Sequence, residues 1–408
     1  MSLKKIRFQW LLGFALTLLP AVVFAQGPTS REYPYLYKSP RAMGMGGAYT
    51  AIGGRVDSLF YNPAGLSNIP KDKGWEVNIL NPMVDLGNDI ASMQDVIFRF
   101  NCGDNNFCGD MQDAFDTPDG PDAGTDSDSE QMRAVNDVIA KYRGKNLHLG
   151  ITDFTSIGKS FDRFAFGLGG LANVRLDAMA HQGFGPEGLL EVNADATYGP
   201  VGGFSYGVTN DIFVGLSAKM LSRESLVHQF TVREFVEKQN TLDKYITDEL
   251  RKSSSNAFGV DAGIIYKFAQ DSRFRPSVGF SAMNIGDLKF GDAGKVPMTI
   301  NAGVSANPQI AYFRSLVLGM DYIDIANGYS QDKDMWKRLR YGGELQLFDI
   351  LLAEMAVRAG MYEGSPTFGA DLRLLTFMVS YVKYSEEVGA YAGQDKDDRQ
   401  MVQITFGW

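Results

Sequence analysis

The chain has 408 residues, 45% of them hydrophobic and 12% aromatic, with 45 glycines and a net charge of -9. That acidic balance excludes nucleic acid as a partner, because such binding rests on a basic surface. Mean hydropathy is -0.15, and beyond residue 25 no stretch reaches the roughly 20 apolar residues that a spanning helix needs.

Residues 1–25 read as a secretory signal. Lys4, Lys5 and Arg7 make a basic start, Trp10 to Leu19 an apolar core, and Val23 and Ala25 the small residues before a cut. A membrane anchor is the other reading, but Trp10 to Ala25 is short for a span. The mature chain is then expected to begin at Gln26, and the exported protein is either soluble or a β-barrel. The two cysteines, Cys102 and Cys108, sit in a polar stretch. In an exported chain they are expected to form one small loop-stapling disulfide, with a reactive pair as the alternative.

Residues 26–73 carry "RAMGMGGAYTAIGG" and then "LFYNPAGL", and they do not alternate. Six glycines between Arg41 and Ser67 suggest a phosphate loop. The dinucleotide fingerprint wants glycine at its first, third and sixth positions. Counted from Gly44, the third is Gly46 but the sixth is Tyr49, and no Gly-Lys-Ser/Thr follows. The phosphate reading fails. A segment packed in a crowded space fits better. Glycine lets backbone approach backbone, Pro63 fixes φ, and Asn62 sets a turn by bonding its own backbone.

From Gly74 onward the chain alternates with period two. Ile212, Val214, Leu216, Ala218 and Met220 form one apolar row; Phe258 to Tyr266 and Met298 to Val304 form others. None of these rows contains a charge, as a lipid-facing surface requires. About 14 strands are expected, near 74–81, 145–153, 161–176, 189–208, 211–223, 256–268, 274–284, 297–305, 313–323, 339–348, 352–361, 366–373, 375–384 and 400–408. Periodicity alone fits a soluble sandwich equally well. The connections favour the barrel: turns such as "TNDI", "AQDSR" and "FDIL" alternate with long loops, chiefly 82–144 and 224–255. Short periplasmic turns and long external loops are the asymmetry of outer-membrane barrels. The end "MVQITFGW" alternates strictly and closes on Trp408, which resembles the aromatic-ended last strand of bacterial outer-membrane barrels. The expected fold is therefore all-β: a transmembrane antiparallel β-barrel over 74–408.

Met45, Gly46, Gly47 and Ala48, followed by Tyr61, Asn62, Pro63, Ala64, Gly65 and Leu66, resemble the "MGGA" and "YNPAGL" segments of the FadL-type (long-chain fatty acid transporter) superfamily of outer-membrane proteins. The resemblance is carried by the N-terminal piece; beyond it the likeness is one of architecture. It implies that 26–73 is a hatch inside the barrel, with no role in catalysis. It also implies passive uptake of a hydrophobic small molecule, such as a long-chain fatty acid, with outer-membrane lipid around a monomeric barrel. Ligand would be collected at external loops, held above the hatch, and released sideways through a gap in strand three. Strand three holds Gly167, Gly169 and Gly170, and clustered glycines favour a kink. Collecting loops are expected on two helical faces, one with Met132, Val135, Val138, Ile139 and Tyr142, the other with Phe235, Val236 and Tyr245. The alternative is that these helices only cap the barrel. Relatives with the same hatch look like PorV-type secretion components or TraF-like transfer proteins. In that case the barrel would be a platform for a partner protein.

No cofactor is expected. The acidic loop from Asp113 to Glu130 lacks the EF-hand register, so calcium is a minor reading. His148, His181 and His228 are far apart with no cysteine near, which speaks against zinc. His148 alternates with Leu147 and Leu149 and is expected to face the lumen, and no Gly-x-Ser-x-Gly motif occurs. An enzyme is not the expected reading.

Overall fold

The period-two rows become the wall of a closed barrel. The structure, a computed structural model, describes residues 32–71, 74–99, 101–117, 130–182, 188–238, 241–250, 253–310, 313–329, 334–350 and 352–407. The expected signal segment 1–25, most of the acidic loop and Trp408 lie outside the described residues.

The first wall strand is interrupted. It consists of β1 (Glu76–Leu80) and β2 (Met83–Gly87). There follow β3 (Asn146–Ser160), β4 (Phe164–Gln182), β5 (Gly188–Gly207), β6 (Ile212–Thr231), β7 (Ser255–Lys267) and β8 (Ser277–Met283). A small hairpin, β9 (Leu288–Lys289) and β10 (Lys295–Val296), stands apart from the wall. The wall resumes with β11 (Thr299–Ala306), β12 (Ser315–Tyr322), β13 (Leu339–Ile350), β14 (Ala353–Tyr362), β15 (Ser365–Leu374), β16 (Phe377–Glu387) and β17 (Lys396–Gly407). Neighbours pair antiparallel, and β1 and β2 each pair with both β3 and β17, which closes the sheet. The 15-stranded sheet thus has fourteen wall positions, since β1 and β2 share one.

The apolar rows face outward. Leu216, Phe258, Ile264, Phe280, Val304, Met320 and Ile404 are all exposed, while alternate residues such as Ser217, Lys219, Asp261, Ser281 and Asp321 are buried inside. A sandwich would bury the apolar face; here it is the exterior. At the short-turn end, Trp75, Phe161, Phe164, Tyr206, Phe274, Phe313 and Phe377 make an exposed aromatic girdle. This is a membrane-spanning barrel of the outer-membrane type. Leu216 sits in the outward row at 52% exposure, and Leu216→Arg is expected to destabilise the folded barrel by about 2–4 kcal/mol. Urea unfolding in lipid vesicles checks this; a loss well under 1 kcal/mol would argue against a lipid-facing row.

Several strand ends differ from the sequence reading: β4 runs on to Gln182 where residue 176 was expected, and β17 begins at Lys396 where residue 400 was expected. The first long loop begins after Gly87, because β2 resumes beyond Pro82. β3 runs on to Ser160, and β6 runs on to Thr231, which shortens the second long loop. Ser222 and Glu224 interrupt the apolar row of β6, yet Leu226 and Phe230 continue it and are buried. What buries them is protein: helices α2 (Phe107–Phe115), α3 (Glu130–Lys141), α4 (Val232–Lys238) and α5 (Leu242–Leu250) fold back onto the outer face of β3 to β6. One connection on the long-loop side, Glu363–Gly364, is instead a two-residue turn with φ of 50° and 79°, the hairpin geometry that glycine favours.

Candidate functional site

The segment from Glu32 to Ile69 lies inside this wall and touches it on all sides. Helix α1 (Pro40–Gly44) packs on β14, β15, β16 and β17, and the turn Pro63–Asn68 packs on β3 to β7. Its motif residues are seated on glycines of the wall. A Cβ on Gly360 would lie 2.5 Å from Gly46 N, and one on Gly342 would lie 2.6 Å from Met45 O. Gly46 itself has φ +69° and faces Met361 and Tyr341 backbone atoms. Across the lumen, a Cβ on Gly263 would collide with Asn62 Oδ1, and one on Gly215 with Ala64 N. Backbone therefore lies on backbone at both seats, which only glycine allows. Met45 and Ala48 are fully buried, Gly47 faces Arg340 and Tyr362, and Gly65 lies against Gly53.

Asn62 uses every polar atom of its side chain. Its oxygen accepts from Ala64 N at 3.0 Å, and its Nδ2 donates to Thr50 O at 2.7 Å, Ile264 O at 3.3 Å and Phe280 O at 3.4 Å. It ties the two halves of the segment to each other and to β7 and β8. The Tyr61 hydroxyl accepts from Ser39 N at 2.9 Å, and its ring lies 5.1 Å from that of Tyr49.

Charge holds the other side. Arg41 grips Glu344 with both arms, Nε to Oε2 at 2.9 Å and Nη2 to Oε1 at 2.8 Å, and donates through Nη1 to Gly53 O at 2.8 Å. Arg358 donates to the same Glu344 and to Asp371, both at 2.6 Å, and Arg55 reaches Asp371 at 3.3 Å. Asp321 Oδ2 accepts from Tyr49 N and Thr50 N, each at 2.7 Å. These wall residues were not singled out from the sequence. Their signal was there: Asp321, Glu344, Arg358 and Asp371 are charges in the inward rows of strands whose outward rows carry none.

Near the long-loop end, Glu32 bonds Lys38 at 2.8 Å and Arg399 at 3.0 Å, and His148 Nδ1 meets Asp177 Oδ1 at 2.6 Å. His148 does face the lumen and is buried. Ligand atoms of Glu32, His148 and Asp177 are close enough together for a metal ion. Lys38, Arg399 and Arg175, however, already supply the positive charge there, so the group is an ion-pair cluster.

Two cavities flank the segment. A vestibule of about 1110 Å³ opens at the short-turn end, bounded by Gly53, Arg55, Lys267, Arg275, Arg314 and Leu352 and rising to Tyr37, Asn81 and Phe154. A cavity of about 80 Å³ lies on the other side, lined by Tyr33, Tyr35, Tyr61, Tyr329 and Tyr362 with Met43, Met283 and Val296.

Strand three shows no kink. Pairing of β4 with β3 and β5 is continuous through Gly167, Gly169 and Gly170. Gly167 receives Val56 and Leu66, and Gly169 receives Phe154, so these two glycines make room for inward side chains. The ladder is broken elsewhere, in the first strand. Between β1 and β2 the register against β3 slips at Asn81 and Pro82. There Asp153 Oδ1 accepts from Asn81 N at 2.8 Å, and Thr155 Oγ1 donates to Ile79 O at 2.8 Å. Side chains stand in for the missing ladder bonds, and the vestibule reaches Asn78, Asn81 and Ser156 behind this seam.

The helical faces picked from the sequence are buried against the wall. Val135, Val138, Ile139, Tyr142 and Phe235, with partly buried Val236 and Tyr245, form one apolar core with Leu147, Ala178, Leu190 and Phe230. None of them lines either cavity. At the rim of this core, burial pushes the Asp110 carboxyl up, but hydrogen bonds from Lys141 and Tyr142 outweigh it and hold the group below its usual range. The Tyr142 phenol is pushed up by burial and by its bond to Asp110. Cys102 and Cys108 are joined in a disulfide, in a loop whose Ile90, Met93 and Cys108 pack on Leu86, Leu149 and Val402.

A closed fourteen-position wall around a filled lumen can be compared with solved structures. The chain is similar in fold to solved hydrocarbon channels. With the Ralstonia pickettii toluene transporter TbuX the TM-score is 0.47 at 11% identity, covering 92% of this chain and 98% of that one. With the Pseudomonas putida toluene transporter TodX it is 0.43 at 9% identity, covering 95% and 98%. With a Pseudomonas aeruginosa FadL homologue it is 0.35 at 10% identity, covering 89% and 96%. Scores below 0.5 are too low to rest a function on. No protein-family model matches the chain, and no curated protein matches it.

Proposed function

We propose that this barrel is an outer-membrane channel for passive uptake of hydrophobic small molecules, long-chain fatty acids among them, with residues 26–73 as its hatch. The observation that carries the reading is the seated segment itself. It fills the lumen between an aromatic-lined cavity on the long-loop side and a vestibule on the short-turn side. Its rings and aliphatic side chains offer surface to an apolar ligand, and Lys38, Lys219, Asp324, Lys337, Arg338 and Arg340 bound the same space. At about 80 Å³ it is smaller than the roughly 150 Å³ that houses benzene in a protein core. Uptake therefore requires the hatch to shift. We place the sideways exit at the seam between the first strand and β3, where side chains replace the ladder, in preference to the fully paired strand three.

One observation favours a second reading, a platform for a partner protein in secretion or conjugal transfer. Met335 and Trp336 on helix α6 (Met335–Arg338) are exposed beside exposed Tyr391, and Asp334 Oδ2 accepts from Ala392 N at 2.7 Å to hold the two loops together. Mass spectrometry of the native barrel, extracted from outer membranes in mild detergent, separates the readings. A stoichiometric apolar compound, lost in Asn62→Ala, is the expected result. An empty barrel carrying one defined protein would overturn the channel in favour of the platform.

A further inference from the structure

We infer that Tyr37 is the gate between the two cavities, its ring forming the partition that a solute must displace. Of all the residues bounding the two spaces, Tyr37 is the one common to both. It belongs to a trio of rings. Its centroid lies 5.1 Å from that of Phe60 and 5.5 Å from that of Phe154, and Phe60 and Phe154 are 4.9 Å apart. Phe60 faces the upper cavity and Phe154 the vestibule. The trio thus spans the divide, with Tyr37 in the middle of it.

Three features suit Tyr37, more than its neighbours, to moving. Phe154 is fixed on β3 and Phe60 on the turn Val56–Phe60, whereas Tyr37 lies in irregular backbone between Glu32 and α1. Its hydroxyl is held by a long bond from Gln403 Nε2 at 3.3 Å, near the outer limit for such a bond. The space into which the ring can turn is unequal, about 1110 Å³ on the vestibule side against about 80 Å³ above. A rotamer change carries the ring down into the vestibule, a motion open to a side chain without rearranging the wall. An opening one aromatic ring wide admits a flat ring or a single apolar chain. The solute class rests on the proposed channel function; the partition stands on the geometry alone.

The test uses the full chain in proteoliposomes sorted for orientation. The chain's two cysteines are paired with each other, so Met283→Cys, on the upper cavity, supplies a single reporter thiol. A small, membrane-impermeant methanethiosulfonate cation is added on the short-turn side. With Tyr37 or Tyr37→Phe in place, modification is expected to stay slow. Tyr37→Ala is expected to speed it at least tenfold, and Phe154→Ala to speed it less. Heat-modifiable migration on gels identifies folded barrel, and Phe154→Ala serves as the deciding variant if Tyr37→Ala does not fold. Equal rates in all folded variants would overturn the gate. Entry of a fluorescent long-chain fatty acid is followed in the same vesicles. Faster thiol reaction without fatty-acid entry would leave the gate standing and count against the channel. Fatty-acid entry without faster thiol reaction would do the reverse.

Discussion

Glu344→Ala is expected to destabilise the folded barrel by about 3–5 kcal/mol and to loosen the segment that fills it, because removing one partner of a buried ion pair strands the other. Two cations depend on this one carboxylate. Arg358 is fully buried, and Arg41 is nearly so. Asp371 alone would then face Arg358 and Arg55, leaving Arg41 with Gly53 O and Tyr49 as its neighbours. Glu344→Gln keeps the shape and an accepting oxygen, so it should fall between wild type and alanine. Urea unfolding in lipid vesicles measures the stability, and protease cutting within residues 32–71 measures the release. A loss below about 1 kcal/mol, the scale of an exposed pair, would mean that glycine seating alone holds the segment.

The second large effect is expected at the opposite seat. Gly263→Ala places a methyl where Asn62 Oδ1 now lies. Overpacking of this kind costs about 1–3 kcal/mol, and displacing Asn62 adds the loss of its bonds to Thr50, Ala64, Ile264 and Phe280. The informative measurement is a double-mutant cycle. In the Asn62→Ala background the added methyl has a smaller obstacle, so Gly263→Ala should cost much less there. Contacting residues couple by about 0.5–3 kcal/mol. Additive costs would show that Asn62 does not sit in the space that Gly263 leaves.

Much of the wall could be read from the chain because its cause is local. A row such as Val214, Leu216, Ala218 and Met220 reports its own exposure, and loop length reports which end of the barrel a connection occupies. The seats could be read only in part. Asn62 and Gly46 stood out as turn and packing residues, but their partners lie far along the chain. Arg41 and Glu344 are 303 positions apart, a distance over which no local pattern carries. The helical faces with Val135 and Ile139 were visible as amphipathic, yet amphipathicity states that a face is covered and not what covers it. Here the cover is the outside of β3 to β6. At strand three, glycine admitted two meanings, a kink or room for a facing side chain, and only the positions of Val56, Leu66 and Phe154 tell them apart. At the first strand the expected end was residue 81, just before Pro82, which lacks an N–H, and the chain resumes beyond it as β2. Asp153 lets the strand continue past it.

The seats are also unequal in when they can form. Pro63 and Ala64 rest on β4 to β7, whereas Arg41, Tyr49 and Gly46 depend on Glu344, Asp321 and Gly360, which lie on β12 to β14. β17 closes the cylinder against β1 and β2, the strands that directly follow the segment in sequence. A chain that builds its wall from the first hairpins onward meets the Asn62 seat early and the Arg41 seat late. The segment then waits half-docked in an open-sided wall, and closing the last seam locks it in. On that order of assembly, the late seat forms as the cylinder closes, so a variant that weakens the late seat should slow insertion into the membrane even where the finished barrel is sound.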